Sequence, residues 1–404
     1  MSSTSVPVTE IDLTSEGVVA DPYPFFAAER ATAPIQWHEG LGMWLAFSHA
    51  TANATLRHRG LGRLWSSRWP EEPMPMFNLI HVNSLLEKEP PTHTRLRRLI
   101  AGAFARGHVE RLRPRVAELA SVLADRVGDL GADGSTVDLI AEYAEPLPVQ
   151  VIAELLGVPE SDWHLLRPWS NAIVKMYEYD VSAEQKAAAE TASFDFVEYL
   201  RGLVAERRLQ PADDLLSSLL AETDADGGKL TEDELITTCT LVLNAGHEAT
   251  VNVVGNGVTA LLGHQRQYDA LDVADARAVE SAVEELIRYD APLQLFERTA
   301  TEDVEIGDIT VRAGQKVGAL LGAANRDAAI FTDPDGFDLR RAENPHLGFG
   351  AGIHFCVGAP LARVELQTSL TTLRSRFPRL QLAAEPQRRP EFVIRGVTAL
   401  PVTL

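Results

Sequence analysis

Apolar residues recur at helical spacing along most of the chain, and this period predicts a mainly helical protein. The longest predicted helix starts at a capping box formed by Thr231 and Glu234 and continues to residue 262, which gives it a length of about 45 Å. Its apolar residues face almost every direction, so we expect it to be buried. The other predicted helices cover 24–30, 109–127, 137–156, 162–177, 183–208, 213–220, 279–289 and 359–377.

Alternating apolar and polar residues predict short strands near both ends of the chain. They cover 35–37 and 43–47, then 304–306 and 316–320, and the same alternation returns within 391–404. The expected fold is therefore mainly α with a small β lobe.

The segment 60–89 shows no sustained period and is rich in Pro, Trp, Met and Phe. A loop of this length in a compact chain is usually a lid or binding segment, or is disordered. Its apolar residues favour a lid that packs on an apolar ligand. These residues are Trp65, Trp69, Met74, Met76, Phe77, Leu79 and Ile80.

Composition narrows the class of protein. The 404 residues carry a formal net charge of −20, which argues against nucleic-acid binding and against an anionic membrane surface. Two cysteines make a disulfide framework implausible and fit a reducing compartment. No run of about 18 apolar residues occurs, so we expect a cytoplasmic protein without a membrane anchor.

Cys356 lies in the glycine-rich stretch 349–358, directly before a predicted helix. Helix N–H groups and the helix dipole stabilise a thiolate at this position, and such a sulfur is a ligand for a soft metal. The alternative is an inert buried thiol, and composition alone favours neither. Structural zinc is not expected, because Cys239 is the only other cysteine and no Cys or His cluster has zinc spacing.

Two further pairs have both a structural and a functional interpretation. His93 and Arg97 lie one helical turn apart, which suits binding of a carboxylate or phosphate, but also fits a solvated basic helix face. Glu285 and Arg288 ordinarily form a surface salt bridge at this spacing.

A charged residue, Glu248, lies inside the long apolar helix, where an unpaired charge is costly. It either pairs with a nearby base or supplies protons. In the second interpretation, Gly246 lets a flat ligand or O2 approach the helix backbone.

The stretch around Cys356 resembles the haem-ligand loop of the cytochrome P-450 family. All six fixed positions of the pattern Phe-Gly-x-Gly-x-His-x-Cys-x-Gly are present, including Phe349 and Gly350. The resemblance implies haem b (iron protoporphyrin IX) with Cys356 as axial iron ligand. It further implies that His93, Arg97, Arg298 and His354 bind the propionates, and that Glu285 and Arg288 hold the core beneath the haem.

The central helix resembles the family pattern Ala-Gly-x-Glu/Asp-Thr, which implies roles for His247 and Glu248 in proton delivery. The sequence departs from the pattern at Ala249, where the family usually has threonine. Thr250 follows, but one helical residue rotates it by about 100°, so we do not expect it to face the same way. The pocket expected from the resemblance is lined by Phe77, Ile80, Leu241, Asn244, Ala245, Ala249, Leu293, Gln294, Leu295, Phe296, Val393 and Ile394.

The resemblance covers nearly the whole chain and implies one P-450 domain over 1–404. Its β-rich lobe is expected at about 21–60 and 293–322 with a hairpin at 380–404, and its helical lobe at about 89–290 and 358–377. It also implies a monomer that inserts oxygen from O2 into a mostly lipophilic small molecule, such as a steroid, terpenoid or polyketide.

Electrons are expected from a ferredoxin and an NAD(P)H-dependent ferredoxin reductase. The arginines expected to dock the ferredoxin are Arg95, Arg97, Arg98, Arg106, Arg340, Arg341 and Arg363. Two alternatives remain, namely a haem-thiolate enzyme of oxidative coupling, desaturation or peroxide-driven chemistry, and a non-enzymatic haem sensor or carrier.

Overall fold

A computed structural model describes residues 6–64, 74–102, 104–179, 181–222 and 228–404, apart from the side chains of Arg106 and His108. The chain is 56% helical with a small β region, which confirms the predicted fold class. The helices are α1 (Glu16–Ala20), α2 (Tyr23–Thr32), α3 (His49–Arg57), α4 (Pro75–Val82), α5 (Thr92–Ala101), α6 (Arg106–Leu130), α7 (Pro146–Leu156), α8 (Trp163–Val174), α9 (Ala183–Leu209), α10 (Leu215–Ala221), α11 (Glu232–Gly263), α12 (Gln265–Ala270), α13 (Ala276–Tyr289), α14 (Leu321–Ala324) and α15 (Ala359–Arg376).

The strands are short and lie mainly in the first and last thirds of the chain. They are β1 (Val8–Thr9), β2 (Ile35–His38), β3 (Met43–Ala46), β4 (Leu61–Gly62), β5 (Val137–Asp138), β6 (Leu295–Ala300), β7 (Val304–Ile306), β8 (Ile309–Val311), β9 (Lys316–Leu320), β10 (Gln381–Leu382), β11 (Gln387–Arg388), β12 (Val397–Ala399) and β13 (Pro401–Thr403).

The chain divides into two compact units. The first contains residues 1–63, 252–356 and 377–403, and the second contains 64–251, 357–376 and Leu404. Helix α11 begins in the second unit and ends in the first. The single domain with the predicted lobe boundaries stays a prediction.

The first unit is built on a mixed six-stranded sheet of order β1-β2-β3-β9-β6-β4. The β1–β2 and β3–β9 pairs are parallel, and the β2–β3, β6–β9 and β4–β6 pairs are antiparallel. Strand β6 places Arg298 opposite Val317 of β9. A buried apolar cluster that includes Leu56, Val317 and Leu347 joins α3, the sheet and the segment before Cys356.

The second unit is helical, with α15 packed on α6 and α9 packed on both α8 and α4. Helices α7 and α11 pack closely at Gly246, where a Cβ atom would lie 2.8 Å from Ile152 Cδ1 and would make that side chain shift. Gly246 therefore lets α7 approach α11. That Gly246 also lets a flat ligand or O2 approach the helix stays a prediction.

Helix α11 begins as the sequence predicts. Glu234 N donates to Thr231 Oγ1 at 3.2 Å, and Thr231 N donates to Glu234 Oε2 at 2.9 Å, so the capping box is confirmed. The helix has 32 residues, and residues 250–258 are buried on every side.

Two predicted elements differ from the structure. The helix expected over 137–156 is split into β5, a π-helical turn (Ile140–Ala144) and α7, because Pro146 and Pro148 enter at the start of α7. The long loop expected over 60–89 contains α4, while Trp65 and Trp69 lie outside the described residues. Within the described ranges, no helix is long and apolar enough to span a membrane.

Candidate active site

The backbone around Cys356 forms a tight loop in the first unit. Cys356 N donates to Phe349 O at 3.0 Å, which closes the loop. Gly350 and Gly352 have φ of 68° and 72°, a region that favours glycine. At Gly352 a Cβ atom would also lie 2.5 Å from Leu56 O. The loop therefore holds the half-buried thiol of Cys356 in a fixed place.

Residues just before this loop attach it to the rest of the first unit. Leu347 N donates to Asn325 Oδ1 at 2.7 Å, and His346 Nε2 lies 3.0 Å from Glu284 Oε2. A Cβ atom on Gly348 would lie 2.4 Å from Ile287 Cγ2, so a larger residue would push the loop away from α13. The position of the sulfur therefore depends on α13.

Glu285 and Arg288 of α13 form a fully buried ion pair. Arg288 Nε and Nη2 each donate to a Glu285 oxygen at 2.7 Å, and both side chains are 0% exposed. Arg288 Nη1 also donates to Asn325 O at 3.0 Å. The surface salt bridge considered from sequence is thus excluded. Arg341 joins this network through Glu285 at 3.1 Å with 9% side-chain exposure, so it is unsuited to docking a partner.

Arg298 of β6 is 2% exposed, and its Nη1 donates to Glu297 O at 2.9 Å. Its guanidinium carbon lies 4.6 Å from the centre of the Phe296 ring. Arg63 approaches the same ring at 4.8 Å. These two guanidinium groups concentrate positive charge, which suits an anionic group. Arg63 could not be found from the sequence, because the residues around it in the chain do not identify Phe296 as its contact.

The remaining predicted propionate ligands have different exposures. His354 is half-buried in the cysteine loop of the first unit. On α5 of the second unit, His93 is 3% exposed and Arg97 is half-buried, whereas Arg98 is exposed. The alternative of a solvated basic helix face therefore holds for Arg98 but not for His93, which is buried.

The middle of α11 has one accessible stripe on a helix that is otherwise largely buried. Leu241 is half-exposed, and Ala245 and Ala249 are exposed, at a spacing of four residues that places them on one face. Thr250 is 5% exposed, which agrees with the prediction that it does not share the direction of Ala249. Buried residues of the same segment are Asn244, His247, Glu248 and Thr250.

His247 faces α8, because its Nδ1 lies 3.2 Å from Ser170 Oγ and the ring is 1% exposed. Glu248 is 5% exposed. The pair therefore combines a fixed imidazole with a buried carboxylate on consecutive residues of α11.

A small cavity in the second unit brings together part of the predicted pocket. Its volume is about 10 Å³, which is room for one water molecule. Asn244 Oδ1 is buried and has no hydrogen-bond partner among the described residues. Phe77 is not on the wall but packs against His81, with ring centres 4.2 Å apart and the rings tilted by 34°. The cavity is lined by Ile80, His81, Ser84, Leu86, Glu87, Tyr177, Thr240, Leu241 and Asn244.

Sequence reasoning missed the polar part of this cavity wall. His81 Nδ1 lies 2.7 Å from Phe77 O, and Nε2 lies 3.1 Å from Tyr177 Oη. A neutral ring that donates from Nδ1 accepts a hydrogen bond from the Tyr177 hydroxyl at Nε2. The sequence pattern predicts a loop over this segment, and a loop gives no reason to place His81 on a helix face beside Ile80.

The predicted pocket residues of the first unit form one hydrogen-bonded pair of segments. Leu293 is bridged to Ile394, and Gln294 N donates to Val393 O at 2.9 Å. The expected place of Gln294 on the pocket wall needs a correction. Its side chain is 0% exposed and donates to Ala291 O at 2.8 Å, so it belongs to the core. Leu295 is 3% exposed, whereas Leu293 and Phe296 are half-buried.

The side chains present fit a haem. In the described ranges no group of three His, Cys, Asp or Glu residues could hold a metal ion, so a protein-only metal cage is not found there. A half-buried thiol suits an iron whose other ligands come from a macrocycle. The accessible alanines of α11 leave room beside the helix, and buried His93 and Arg298 suit carboxylates.

Comparison with known proteins identifies the class to which these features belong. The cytochrome P-450 family matches residues 149–398. Cytochrome P-450 monooxygenase PikC of Streptomyces venezuelae is 39% identical, over 99% of this chain and 95% of that protein. 6-Deoxyerythronolide B hydroxylase of Saccharopolyspora erythraea is 38% identical, over 97% and 98%.

A solved structure agrees with these relatives. The structure of PksS, the cytochrome P-450 of the bacillaene polyketide synthase of Bacillus subtilis 168, has a TM-score of 0.88 and 32% identity, over 98% of this chain and 99% of that one. The chain belongs to the cytochrome P-450 family. It is a monooxygenase, and its cofactor is haem bound through a cysteine thiolate.

Proposed function

We propose that the protein inserts one oxygen atom from O2 into a large, mostly lipophilic secondary metabolite with a few polar groups, by hydroxylation or epoxidation. Asn244 carries this proposal. Its buried Oδ1 lacks a partner among the described residues, and a buried acceptor left without one costs about 1–3 kcal/mol. A substrate O–H or N–H that donates to it removes this cost. A hydroxylase of 6-deoxyerythronolide B and the P-450 of a polyketide synthase among the similar proteins support a substrate of this kind.

Cys356 is proposed to hold the iron of the haem when it is bound, and His93, Arg97, Arg298 and His354 to hold its propionates. When bound, the haem supplies the activation of O2, which electron donation from the thiolate promotes. The cysteine loop fixes the sulfur, because Phe349 O and the left-handed glycines leave its backbone one conformation. The buried positive charge of Arg298 favours a carboxylate over water as its neighbour.

Proton delivery is proposed to run through Glu248. The side chain at the next position, Ala249, has no hydroxyl, and Thr250 is buried, so neither is proposed as the donor near the iron. A polar group of the substrate, with ordered water linking it to Glu248 or His247, takes that place in our proposal.

Electrons are proposed to come from an acidic ferredoxin and its NAD(P)H-dependent reductase. Arg98 of α5 and Arg340 are exposed, whereas Arg95 is paired with Glu234. The side chain of Arg106 lies outside the described ones, and Arg97 and Arg363 are half-buried. Arg98→Glu should therefore slow electron transfer at low salt, and rates indifferent to both the substitution and ionic strength would remove this part of the proposal.

The decisive experiment is turnover under isotopically labelled O2 with a reconstituted ferredoxin system. We expect a product that carries one labelled oxygen atom. Substrate consumed without label in the product would indicate desaturation or coupling, and no turnover with any reductase would indicate a sensor or carrier. Asn244→Leu should weaken binding of the substrate about ten-fold, equal to about 1.4 kcal/mol, and should not affect an analogue that lacks the donor group.

A further inference from the structure

Helix α4 begins without a capping residue of its own. Met74 occupies the N-cap position, where no side-chain cap is formed, and Pro75 at the first helical position has no N–H. The next two N–H groups, of Met76 and Phe77, have no acceptor within the helix. Their hydrogen bonds therefore have to come from another part of the chain.

Glu190 of α9 supplies both hydrogen bonds. Its Oε1 accepts from Met76 N and its Oε2 accepts from Phe77 N, each at 3.0 Å. The carboxylate lies at the positive end of the α4 dipole, where an anion is most favourable. Charge-assisted hydrogen bonds to two neighbouring amides make this a strong cap.

The capped residues connect directly to the wall of the cavity. Phe77 is 0% exposed, its ring packs against His81, and its carbonyl oxygen lies 2.7 Å from His81 Nδ1. His81 continues the connection to Tyr177 at 3.1 Å. Ile80 and His81 of the same helix line the cavity. A change at Glu190 is thus transmitted to the cavity wall through one turn of α4.

The cavity in this arrangement holds about one water, so a large substrate can enter it only if α4 or a neighbouring element moves. We infer that Glu190 is a positioning residue that clamps the first turn of α4 onto α9 and thereby sets the rates of ligand entry and exit. The inference rests on the proposed function in that α4 carries pocket residues. Glu190 is not among the residues that line the cavity, and the hydrogen bonds described for its carboxylate go to α4.

Amide hydrogen exchange of the ferric holoprotein tests the clamp without substrate or redox partner. In Glu190→Ala we expect the segment 74–82 to exchange about five-fold faster, the size typical of losing one helix cap, while α15 exchanges as before. Glu190→Gln keeps one acceptor oxygen and should give an intermediate rate. The matched control is Glu198→Gln, which changes an exposed α9 carboxylate paired with Arg201.

Ligand kinetics supply the second measurement, with phenylimidazole as a probe that binds the iron directly. Glu190→Ala should raise both its association and its dissociation rate by a similar factor, and Glu198→Gln should change neither. Unchanged exchange in 74–82, or unchanged ligand rates despite faster exchange, would overturn the inference. Faster exchange throughout the protein would also overturn it, since that outcome describes a general loss of stability. Because neither readout involves product, a failed proposal about the substrate leaves this test intact.

Discussion

Arg288 and Asn325 connect the buried ion pair of α13 to the cysteine loop. Arg288 Nη1 donates to Asn325 O at 3.0 Å, and Asn325 Oδ1 in turn accepts from Leu347 N at 2.7 Å. The segment that begins at Leu347 leads directly into the loop that contains Cys356. The arginine therefore stabilises the loop from a distance, through two hydrogen bonds on one asparagine.

Removing Arg288 should destabilise the protein by about 3–5 kcal/mol, because Glu285 would keep a buried charge without its main partner. Arg288→Ala is expected to lose haem as well, since the loop loses its support. Urea unfolding and haem retention measure the two effects. The control is Arg312→Ala, which breaks an exposed pair with Asp303 and should cost less than about 1 kcal/mol. Equal effects of the two substitutions would contradict the proposed support.

Glu365 predicts a pH dependence of stability. Burial raises the pKa of this carboxyl well above its usual 4.5, and it is 1% exposed on α15. The folded state thus binds the proton more tightly than the unfolded state, so stability is full below the usual pKa and falls as pH rises toward the folded pKa. Glu365→Gln removes this loss. As pH rises, the free energy of unfolding of the variant should therefore increase relative to that of the wild type by up to about 1.4 kcal/mol per pH unit. A pH-independent difference in urea unfolding would contradict the assignment.

Cysteine reactivity should separate the two thiols. Burial raises the pKa of Cys239 to about 12, and the residue is 0% exposed, so it should resist alkylation in the folded protein. Cys356 is half-buried and should react in haem-free protein but not in holoprotein. Mass spectrometry after brief treatment with iodoacetamide locates the label. Modification of Cys239 at a rate similar to that of Cys356 would show that α11 opens readily.

Coupling of NAD(P)H consumption to product tests the role of Ala249 and Thr250. Thr250 is 5% exposed, so Thr250→Val should leave coupling unchanged within about two-fold, whereas a substrate analogue without the polar group nearest the iron should uncouple the reaction. A collapse of coupling in Thr250→Val would instead identify the displaced hydroxyl as the donor. An analogue that couples as well as the substrate would remove substrate assistance.

Local signals in the sequence predicted the parts of the structure that local chemistry determines. The capping box at Thr231 and Glu234 and the positive φ angles of Gly350 and Gly352 act over a few residues, and the sequence predicts both. Helix α4 was missed because its cap, Glu190, lies more than 100 residues away in sequence. The cavity wall formed by His81 and Tyr177 was missed because these two residues also lie far apart in sequence.

Burial was the second property that sequence could not supply. Gln294 follows Leu293 in an extended segment, and the pattern alone does not show that its amide turns toward Ala291 in the core. Gly246 is similar, since the pattern alone does not show that Ile152 of α7 packs against it. Both cases depend on which elements pack together, and that is decided by the whole chain.

The central claim is that Cys356 is the thiolate ligand of the haem, and the reduced carbon monoxide complex tests it most directly. A thiolate opposite carbon monoxide moves the Soret band to the long-wavelength position that gives the family its name, whereas a histidine or neutral thiol ligand does not. We predict this band in the freshly prepared wild type and in Cys239→Ser, and its loss in Cys356→His with haem retained. A wild-type complex that shows only the short-wavelength band, or a Cys356→His variant that keeps the long-wavelength band, would contradict the account.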